Sequence, residues 1–236
     1  MKFPINSHFR RQFAKAMDLN HQNIRDLCHQ NQEGSFLDLG CDDGTWTLEV
    51  SKAANATSVT GIEIVQQRAD IARSKGISVM IADLAKPLPL SAACFDVVHA
   101  NQVIEHVPDI DLFAAEIFRV LRPGGIAVVS TENASSWHNI LSVALGWQMF
   151  SLTNLSSRRL GIGNPLALHR GETDHLKTWT HKVIFSYLGL IEFFDAHGFL
   201  VQQVRGAGYH PLPAWVGKMD VRHAHFLTIQ AKKPAA

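Results

Sequence analysis

The chain has 236 residues, of which 46% are hydrophobic and 18% charged, a composition typical of a core-forming globular protein and not of a disordered one. Its 22 basic and 21 acidic residues give a net charge of +1. Because the chain has no basic excess, a nucleic-acid partner is disfavoured. The 3 cysteines match neither a zinc motif nor a disulfide framework, which predicts a reducing, cytoplasmic location. We find no secretory signal and no run of about 18 apolar residues that would span a membrane.

A helix is predicted over residues 7–30, because apolar side chains recur there at helical spacing. Phe9, Phe13 and Met17 mark this apolar stripe, and Arg10 and Lys15 lie between its members. The stripe is compatible with two positions. The helix either packs against the core or covers the entrance of a ligand site.

The next stretch predicts a buried strand at 36–39, a glycine turn and a helix at 45–54. Glycines such as Gly40 and Gly44 let a ligand approach the backbone, and the amides of the following helix point at that ligand. A dinucleotide fingerprint requires G-x-G-x-x-G, but Asp42 and Thr45 replace its second and third glycines. At about 5 Å and an effective dielectric of about 20, Asp42 would repel a pyrophosphate charge by roughly 3 kcal/mol. The turn therefore favours a cofactor without phosphates over NAD.

The segment Leu37-Asp38-Leu39-Gly40-Cys41-Asp42-Asp43-Gly44 resembles the LDLGCGxG motif of class I S-adenosylmethionine-dependent methyltransferases. It departs from that motif at Asp42, where the family usually has glycine. A second match is Arg119-Val120-Leu121-Arg122-Pro123-Gly124-Gly125, which resembles the family's RVLKPGG turn between a helix and a strand. The resemblance covers residues 36–133 closely and 179–232 more loosely, and it implies S-adenosylmethionine as the cofactor.

Three further strands are predicted at 58–64, 77–84 and 95–100, and polar residues stand at their carboxyl ends. Glu63 lies 23 positions after Gly40, close to the offset at which a carboxylate accepts the two ribose hydroxyls. The resemblance implies that Asp83 binds the adenine amino group and that the amide of Leu84 serves a ring nitrogen. The predicted cofactor-binding residues are Asp38, Gly40, Cys41, Gly44, Glu63, Ile64, Asp83, Leu84 and Asn101.

The remaining pattern predicts helices at 66–75, 109–121 and 179–197, and strands at 126–131, 199–204 and 223–231. Together with the resemblance, it indicates an α/β fold: a Rossmann-like, seven-stranded, mostly parallel sheet with its last strand antiparallel and helices on both faces. We expect a single methyltransferase domain over 1–236. Its predicted parts are a helical cap at 1–35, a core at 36–133 and 179–236, and an inserted acceptor lid at 134–178.

The segment Gln102-Val103-Ile104-Glu105-His106 resembles the Glu-x-x-Glu-His element of ubiquinone-pathway O-methyltransferases, which binds a divalent cation. Gln102 replaces the first glutamate, and the loss of an anionic ligand weakens a site for a hard cation. No metal is therefore predicted, and His106 is expected either beside the methyl acceptor or in helix packing. In the lid, His138 and His175 are candidate bases because imidazole titrates near neutral pH. With 13 histidines in the chain, a structural role is open for each.

These features predict methyl transfer from S-adenosylmethionine to a small-molecule or lipid-linked acceptor. Oxygen is favoured as the acceptor atom, because the motifs typical of planar amino groups and of C5-cytosine methylation are absent. The alternatives are a non-catalytic module that binds S-adenosylmethionine and an NAD-dependent oxidoreductase. Residues 133–157 carry no Asp, Glu, Lys or Arg, so this stretch either is a buried lid or makes peripheral contact with a membrane.

Overall fold

The structure, a computed structural model, describes residues 5–30, 32–167, 169–172 and 179–235. Helices and strands alternate through the first half of the chain, as expected for parallel strands joined by crossover helices. The elements are α1 Ile5–Cys28, β1 Gly34–Leu39, α2 Thr45–Ala53, β2 Ala56–Glu63, α3 Gln66–Ser74, β3 Ser78–Ile81, β4 Phe95–Asn101, α4 Ile110–Val120, β5 Leu121–Glu132, α5 Trp137–Ala144, α6 Tyr187–Ala196, β6 Leu200–Ala207 and β7 Phe226–Lys232. Short 3₁₀ turns lie at Ile104–His106, Phe150–Leu152, Ala214–Lys218 and Val221–His223.

The strands form a 7-stranded sheet in the order β3-β2-β1-β4-β5-β7-β6. Each neighbouring pair among β1 to β5 is parallel, and β7 lies antiparallel between β5 and β6. The predicted fold class, including the antiparallel last strand, is confirmed. Because β1 to β5 run in the same direction, their carboxyl ends meet along one border of the sheet, which we call the carboxyl edge.

Alternate residues of the central strands face two different apolar layers. In β1, Phe36 packs with Ile24 of α1 and Val50 of α2. Leu37 points to the other face, where it joins a cluster that includes Phe113 of α4 and Phe194 of α6. The sheet is therefore covered by helices on both faces, as predicted. None of the helices in the described part of the chain has both the length and the apolar character needed to cross a bilayer.

The predicted helix at 179–197 is wrong in its first half, because α6 begins only at Tyr187. Ser186 caps the shorter helix by accepting a hydrogen bond from the amide of Gly189 at 3.2 Å. Upstream of this cap, the amide of Lys182 donates to the carbonyl of Glu105 at 2.6 Å. The preceding residues thus make long-range backbone contacts in place of helical ones.

The RVLKPGG-like turn joins the last residues of α4 to β5, which begins at Leu121 and not at Ile126 as predicted. Leu121 pairs with Phe95 and Ile126 pairs with Val97, so the residues between them bulge out of the register. Gly124 adopts a φ of 82° there, a conformation that glycine adopts at little cost. The turn is structural, as the resemblance implied.

Asn20 joins α1 to the carboxyl edge through buried hydrogen bonds. Its side-chain amide donates to Oδ1 of Asn101 at 3.2 Å. Its own Oδ1 accepts from the hydroxyls of Ser130 at 3.0 Å and Thr228 at 2.8 Å. One residue of α1 therefore connects the ends of β4 and β5 with β7.

We expect Asn20→Ala to lower the free energy of unfolding by about 2–3 kcal/mol, because it leaves buried polar partners without hydrogen bonds. Urea unfolding measures this loss. Gln22→Ala, at an exposed position of the same helix, is the matched control and should change stability by less than about 0.5 kcal/mol. Equal effects of both substitutions would contradict a supporting role for Asn20.

Candidate functional site

The predicted glycine turn follows β1 at the carboxyl edge. Gly40 and Gly44 both have a φ of 77°, which favours glycine. A Cβ at Gly44 would lie 2.5 Å from Cδ1 of Ile77, so α2 begins in close contact with the segment that precedes β3. Asp42 also adopts a positive φ of 48°, which explains why glycine is common at this position of the motif.

The carboxylate of Asp42 forms a two-pronged ion pair with the guanidinium of Arg68 on α3. The side chain of Asp42 is 60% exposed, and the positive charge of Arg68 lies directly beside it. The predicted repulsion between Asp42 and a pyrophosphate is therefore offset by Arg68. With its charge paired in this way, Asp42 does not by itself exclude a cofactor with phosphates.

Glu63 ties the end of β2 to the glycine turn. Its Oε2 accepts from the amide of Asp42 at 3.0 Å and its Oε1 accepts from the amide of Val65 at 2.8 Å. The side chain is largely buried, whereas the neighbouring Ile64 is 46% exposed. A carboxylate has about four lone-pair sites, so these two bonds leave acceptor capacity for hydroxyl groups of a ligand. The ribose role of Glu63 stays a prediction.

Asp38 lies beneath the turn and not at its surface. Its Oδ2 accepts from the hydroxyl of Thr47 at 2.6 Å, and its Oδ1 lies 2.7 Å from Nδ1 of His99. Cys41 also points inward. A Cβ placed on Gly61 of β2 would lie only 2.6 Å from the Sγ of Cys41. Burial raises the pKa of the Cys41 thiol to about 12. The side chains of Asp38 and Cys41 therefore support the turn from below.

The other predicted cofactor residues follow β3 and end β4. Oδ1 of Asp83 accepts from the amide of Ala85 at 3.0 Å, which shapes the loop two residues beyond β3. Leu84 packs on the main apolar cluster. Asn101, at the end of β4, is held by Asn20 as described above. The predicted cofactor residues therefore lie at the carboxyl edge, on strand ends or in the segments that follow them, but the side chains of Asp38 and Cys41 face inward.

A cavity of about 730 Å³ lies beside the segment that follows β5. Its wall combines aromatic and aliphatic side chains with many imidazoles. The lining residues are Arg10, Phe13, His106, Glu132, His138, Phe150, Thr153, Asn154, Leu160, Gly161, Leu166, His169, Glu172, Trp179, His181, His210 and His225. This volume is in the range of pockets that bind small molecules.

Three imidazoles pack together in the wall of this cavity. The ring of His138 lies 4.5 Å from that of His225 and 5.2 Å from that of His210, centroid to centroid. Burial, with His210 beside it, lowers the pKa of His138 to about 3, and burial places the pKa of His225 well below its ordinary value. The expectation that His138 titrates near neutral pH is wrong for this environment. Both rings are neutral hydrogen-bonding groups at pH 7.

Glu105, His106 and His181 form a separate group whose possible ligand atoms all lie within 4.8 Å of one another. The carboxylate of Glu105 is fully buried, and its Oε2 accepts from the hydroxyl of Thr131 at 3.0 Å. Its Oε1 has no hydrogen-bond partner among the described residues. Burial raises the pKa of Glu105 to about 8, and burial beside His181 lowers the pKa of His106 to about 4. A carboxylate and two imidazoles are a suitable ligand set for a divalent transition-metal ion.

Residues 8–212 match the family model described as a methyltransferase domain. The chain belongs to this methyltransferase family. It is 27% identical over 189 residues to the mitochondrial ubiquinone biosynthesis O-methyltransferase of Rattus norvegicus, covering 76% of this chain and 48% of that protein. It is 35% identical over 97 residues to the demethylmenaquinone methyltransferase of Staphylococcus aureus (strain MRSA252), covering 39% and 40% of the two chains. The chain thus spans less than half the length of these curated relatives.

A solved S-adenosylmethionine-dependent methyltransferase from Mesorhizobium loti has the same fold, with a TM-score of 0.61 and 21% identity. The match covers 89% of this chain and 96% of that one. Family and fold together imply S-adenosylmethionine as the cofactor of this methyltransferase. They give no support to the NAD-dependent oxidoreductase considered from the sequence.

The acceptor side of this methyltransferase is where sequence reasoning missed most residues. His181 lay within a predicted helix, and His210 and His225 stood in segments without a motif. His106 and His138 do line the cavity, but His175 lies outside the described residues. The one signal available in the sequence was the number of histidines, 13, which does not identify which of them meet.

We expect Glu63→Ala to weaken binding of S-adenosylhomocysteine by about tenfold or more, because charge-assisted hydrogen bonds to the ligand and to the turn are lost. Isothermal titration calorimetry measures this change. Glu49→Ala, an exposed glutamate on α2, is the control and should bind as the wild type does. Unchanged affinity of a folded Glu63→Ala variant would refute the ribose role.

The neutral state of His138 predicts that acid destabilises the protein. The unfolded chain binds a proton at this residue below about pH 6.5, whereas the folded chain does so only near pH 3. The contribution of neutral His138 to the free energy of unfolding is therefore fully present above about pH 6.5 and is lost as the pH falls toward 3. A fall from pH 7 to pH 5 lowers the free energy of unfolding by up to about 2 kcal/mol.

Urea unfolding at the two pH values tests this linkage. His138→Gln should lose less stability on acidification than the wild type does, because glutamine does not titrate. His29→Gln, at an exposed histidine, should keep the wild-type dependence. Identical pH dependence in all three proteins would show that His138 is not buried in its neutral form.

Proposed function

We propose that this protein transfers the methyl group of S-adenosylmethionine to an oxygen atom of a small-molecule acceptor. The observation that carries the proposal is the histidine-lined cavity of about 730 Å³, which accompanies a methyltransferase sheet and its glycine turn. In this proposal residues 134–178 are the acceptor lid, residues 1–35 the helical cap, and the carboxyl edge holds the cofactor. The cytoplasmic location inferred from the cysteines is also part of it.

S-adenosylmethionine supplies a methyl group that is already activated by its sulfonium. The protein therefore has to align the acceptor oxygen with the methyl carbon and to exclude water. The aromatic wall formed by Phe13, Phe150 and Trp179 suits a flat, uncharged acceptor. The neutral imidazoles of His138 and His225 can accept hydrogen bonds from acceptor hydroxyl groups and so orient them.

The names of two relatives support a ring of the quinone class as the acceptor. The rat protein is named for O-methylation in ubiquinone biosynthesis, and the staphylococcal protein for methylation of demethylmenaquinone. Both names refer to small molecules of the quinone class. A phenolic hydroxyl of a related ring is the acceptor group that best fits both this likeness and a cavity lined by aromatic rings and neutral imidazoles. A lipid-linked ring is the form that would require the protein to reach a membrane.

Calorimetry with S-adenosylhomocysteine, followed by transfer of labelled methyl groups to a small-molecule extract, tests the proposal. We expect one-to-one binding in the micromolar range and label that hydriodic acid releases as methyl iodide, since this reagent cleaves methyl ethers. Absence of binding would refute the cofactor. Binding without transfer to any acceptor would indicate the non-catalytic module instead.

We further propose that Glu105, His106 and His181 hold a divalent cation at the acceptor side. The unpartnered Oε1 of the buried Glu105 supports this assignment, because ionising this carboxyl group without a donor or a cation beside it is costly, which agrees with its raised pKa. The replacement of a glutamate by Gln102 predicts no metal here. His181 supplies the further ligand that the sequence pattern did not show.

Titration of the protein with Mn²⁺ by calorimetry checks the cation site without any acceptor. We expect the wild type to bind one equivalent and Glu105→Gln or His181→Ala to bind about 10–100-fold more weakly. His169→Ala removes an exposed histidine of the same cavity and should leave affinity unchanged. If the wild type binds no Mn²⁺, His106 keeps only its metal-free role beside the acceptor.

A further inference from the structure

Asp42 is the residue at which the glycine turn departs from its family motif. Its backbone has a φ of 48°, in the left-handed region that glycine adopts at less cost than aspartate does. Its amide donates to Oε2 of Glu63 at 3.0 Å, so this backbone directly contacts the residue predicted to bind the ribose. The conformation of Asp42 therefore bears on where the carboxylate of Glu63 lies.

The side chain of Arg68 holds Asp42 from the first turn of α3. Its Nε donates to Oδ1 and its Nη2 to Oδ2 of Asp42, so both carboxylate oxygens are engaged. Oδ2 of the neighbouring Asp43 lies 3.8 Å from the same Nη2. The backbone of Arg68 is fixed as well, because its amide donates to the carbonyl of Val65 at 3.0 Å.

The segment that begins α3 is joined to the glycine turn twice, once through Arg68 and once through Glu63. The carboxylate of Glu63 accepts from the amide of Asp42 with one oxygen and from the amide of Val65, at 2.8 Å, with the other. The contacts among Asp42, Glu63, Val65 and Arg68 thus close on themselves, and we call this group the Arg68 clamp. Because both amides that hold Glu63 belong to the clamp, a change in the ion pair would move the donors that position its carboxylate.

The charges of the Arg68 clamp act in the same direction. The hydrogen bonds to Asp42 raise the pKa of Arg68, and the negative charges of Asp43 and Glu63 raise it further. Without the guanidinium, the carboxylates of Asp42 and Glu63 would repel each other across the turn. An exposed ion pair ordinarily contributes little to folding, and Arg68 and Asp42 are 42% and 60% exposed. We therefore expect the pair to affect the local position of these acids and not the stability of the fold.

We propose that Arg68 is a positioning residue for cofactor binding, which acts by holding Asp42 and, through it, the carboxylate of Glu63. An aspartate can then occupy a position that is usually glycine, because an arginine 26 residues later supplies the contacts that keep the turn in place. The inference rests on the predicted ribose role of Glu63 and not on the identity of the methyl acceptor. Its consequence is that cofactor affinity depends on ionic strength, since salt screens an exposed ion pair.

Calorimetric titration with S-adenosylhomocysteine tests the Arg68 clamp, because this ligand has no net charge and requires no acceptor. We expect Arg68→Gln to weaken binding about three- to fivefold at ~50 mM salt. Arg68→Lys, which keeps the charge but loses the two-pronged geometry, should weaken it less. In an Asp42→Gly background, Arg68→Gln should have no further effect, because the group that it holds is gone. The matched control is Arg73→Gln, which removes an arginine of the same helix that pairs with Asp70 and should bind as the wild type does.

Ionic strength and unfolding supply readouts that separate positioning from general support of the fold. The affinity of the wild type for S-adenosylhomocysteine should fall between ~50 mM and ~500 mM salt toward that of Arg68→Gln, whose own affinity should change little. The midpoint of urea unfolding should be nearly the same for the wild type and Arg68→Gln.

Several outcomes would overturn the role of Arg68. They are equal affinity of the wild type and Arg68→Gln at low salt, an equal loss in the Asp42→Gly background or in Arg73→Gln, and a wild-type affinity that is independent of salt. A large fall in the unfolding midpoint on Arg68→Gln would also overturn it, because the arginine would then support the fold as a whole. Failure of the proposed methyl transfer looks different: the protein then binds S-adenosylhomocysteine with its dependence on Arg68 intact, but methylates no acceptor.

Discussion

The carboxylate of Asp38 sits in the interior beneath the glycine turn, and the turn depends on its hydrogen bonds. Thr47 of α2 and His99 of β4 both contact it, so a single buried group connects β1 with the helix that follows it and with the strand beside it. A carboxylate removed from water is stable only when such partners are present. This requirement fixes where α2 starts, and therefore where its first amides point.

Further polar contacts between neighbouring elements hold the carboxyl edge together above Asp38. Glu63 brings the end of β2 to the turn, and Asn20 of α1 fixes the end of β4. Arg68 balances the unusual Asp42. The side chains that shape this border are thus paired with one another, which lets a rigid sheet present a preorganised surface to its cofactor.

The cavity on the acceptor side differs from the carboxyl edge in its chemistry. Its cavity contains imidazoles that burial keeps neutral, together with aromatic rings and few charges. Helix α5 contributes to both sides of this region, with His138 toward the cavity and leucine and valine side chains toward the exterior. Its buried asparagine and serine are satisfied by hydrogen bonds, so the outward apolar face is a consequence of a stable interior and not of poor packing.

The sequence by itself determined the sheet, the glycine turn and the strand ends, because these depend on local patterns: apolar runs, glycines, and acids at a regular offset. It could not determine that Asp38 faces inward, since a motif shows spacing and not the direction of a side chain. Nor could it bring together His138, His210 and His225, or add His181 to Glu105 and His106. These residues are distant in the chain, and only the return of β7 to the sheet and the long-range contacts before α6 place them side by side. The tertiary structure also decided the inverted exposure of α5, because that depends on which partners Asn139 and Ser142 find across the fold.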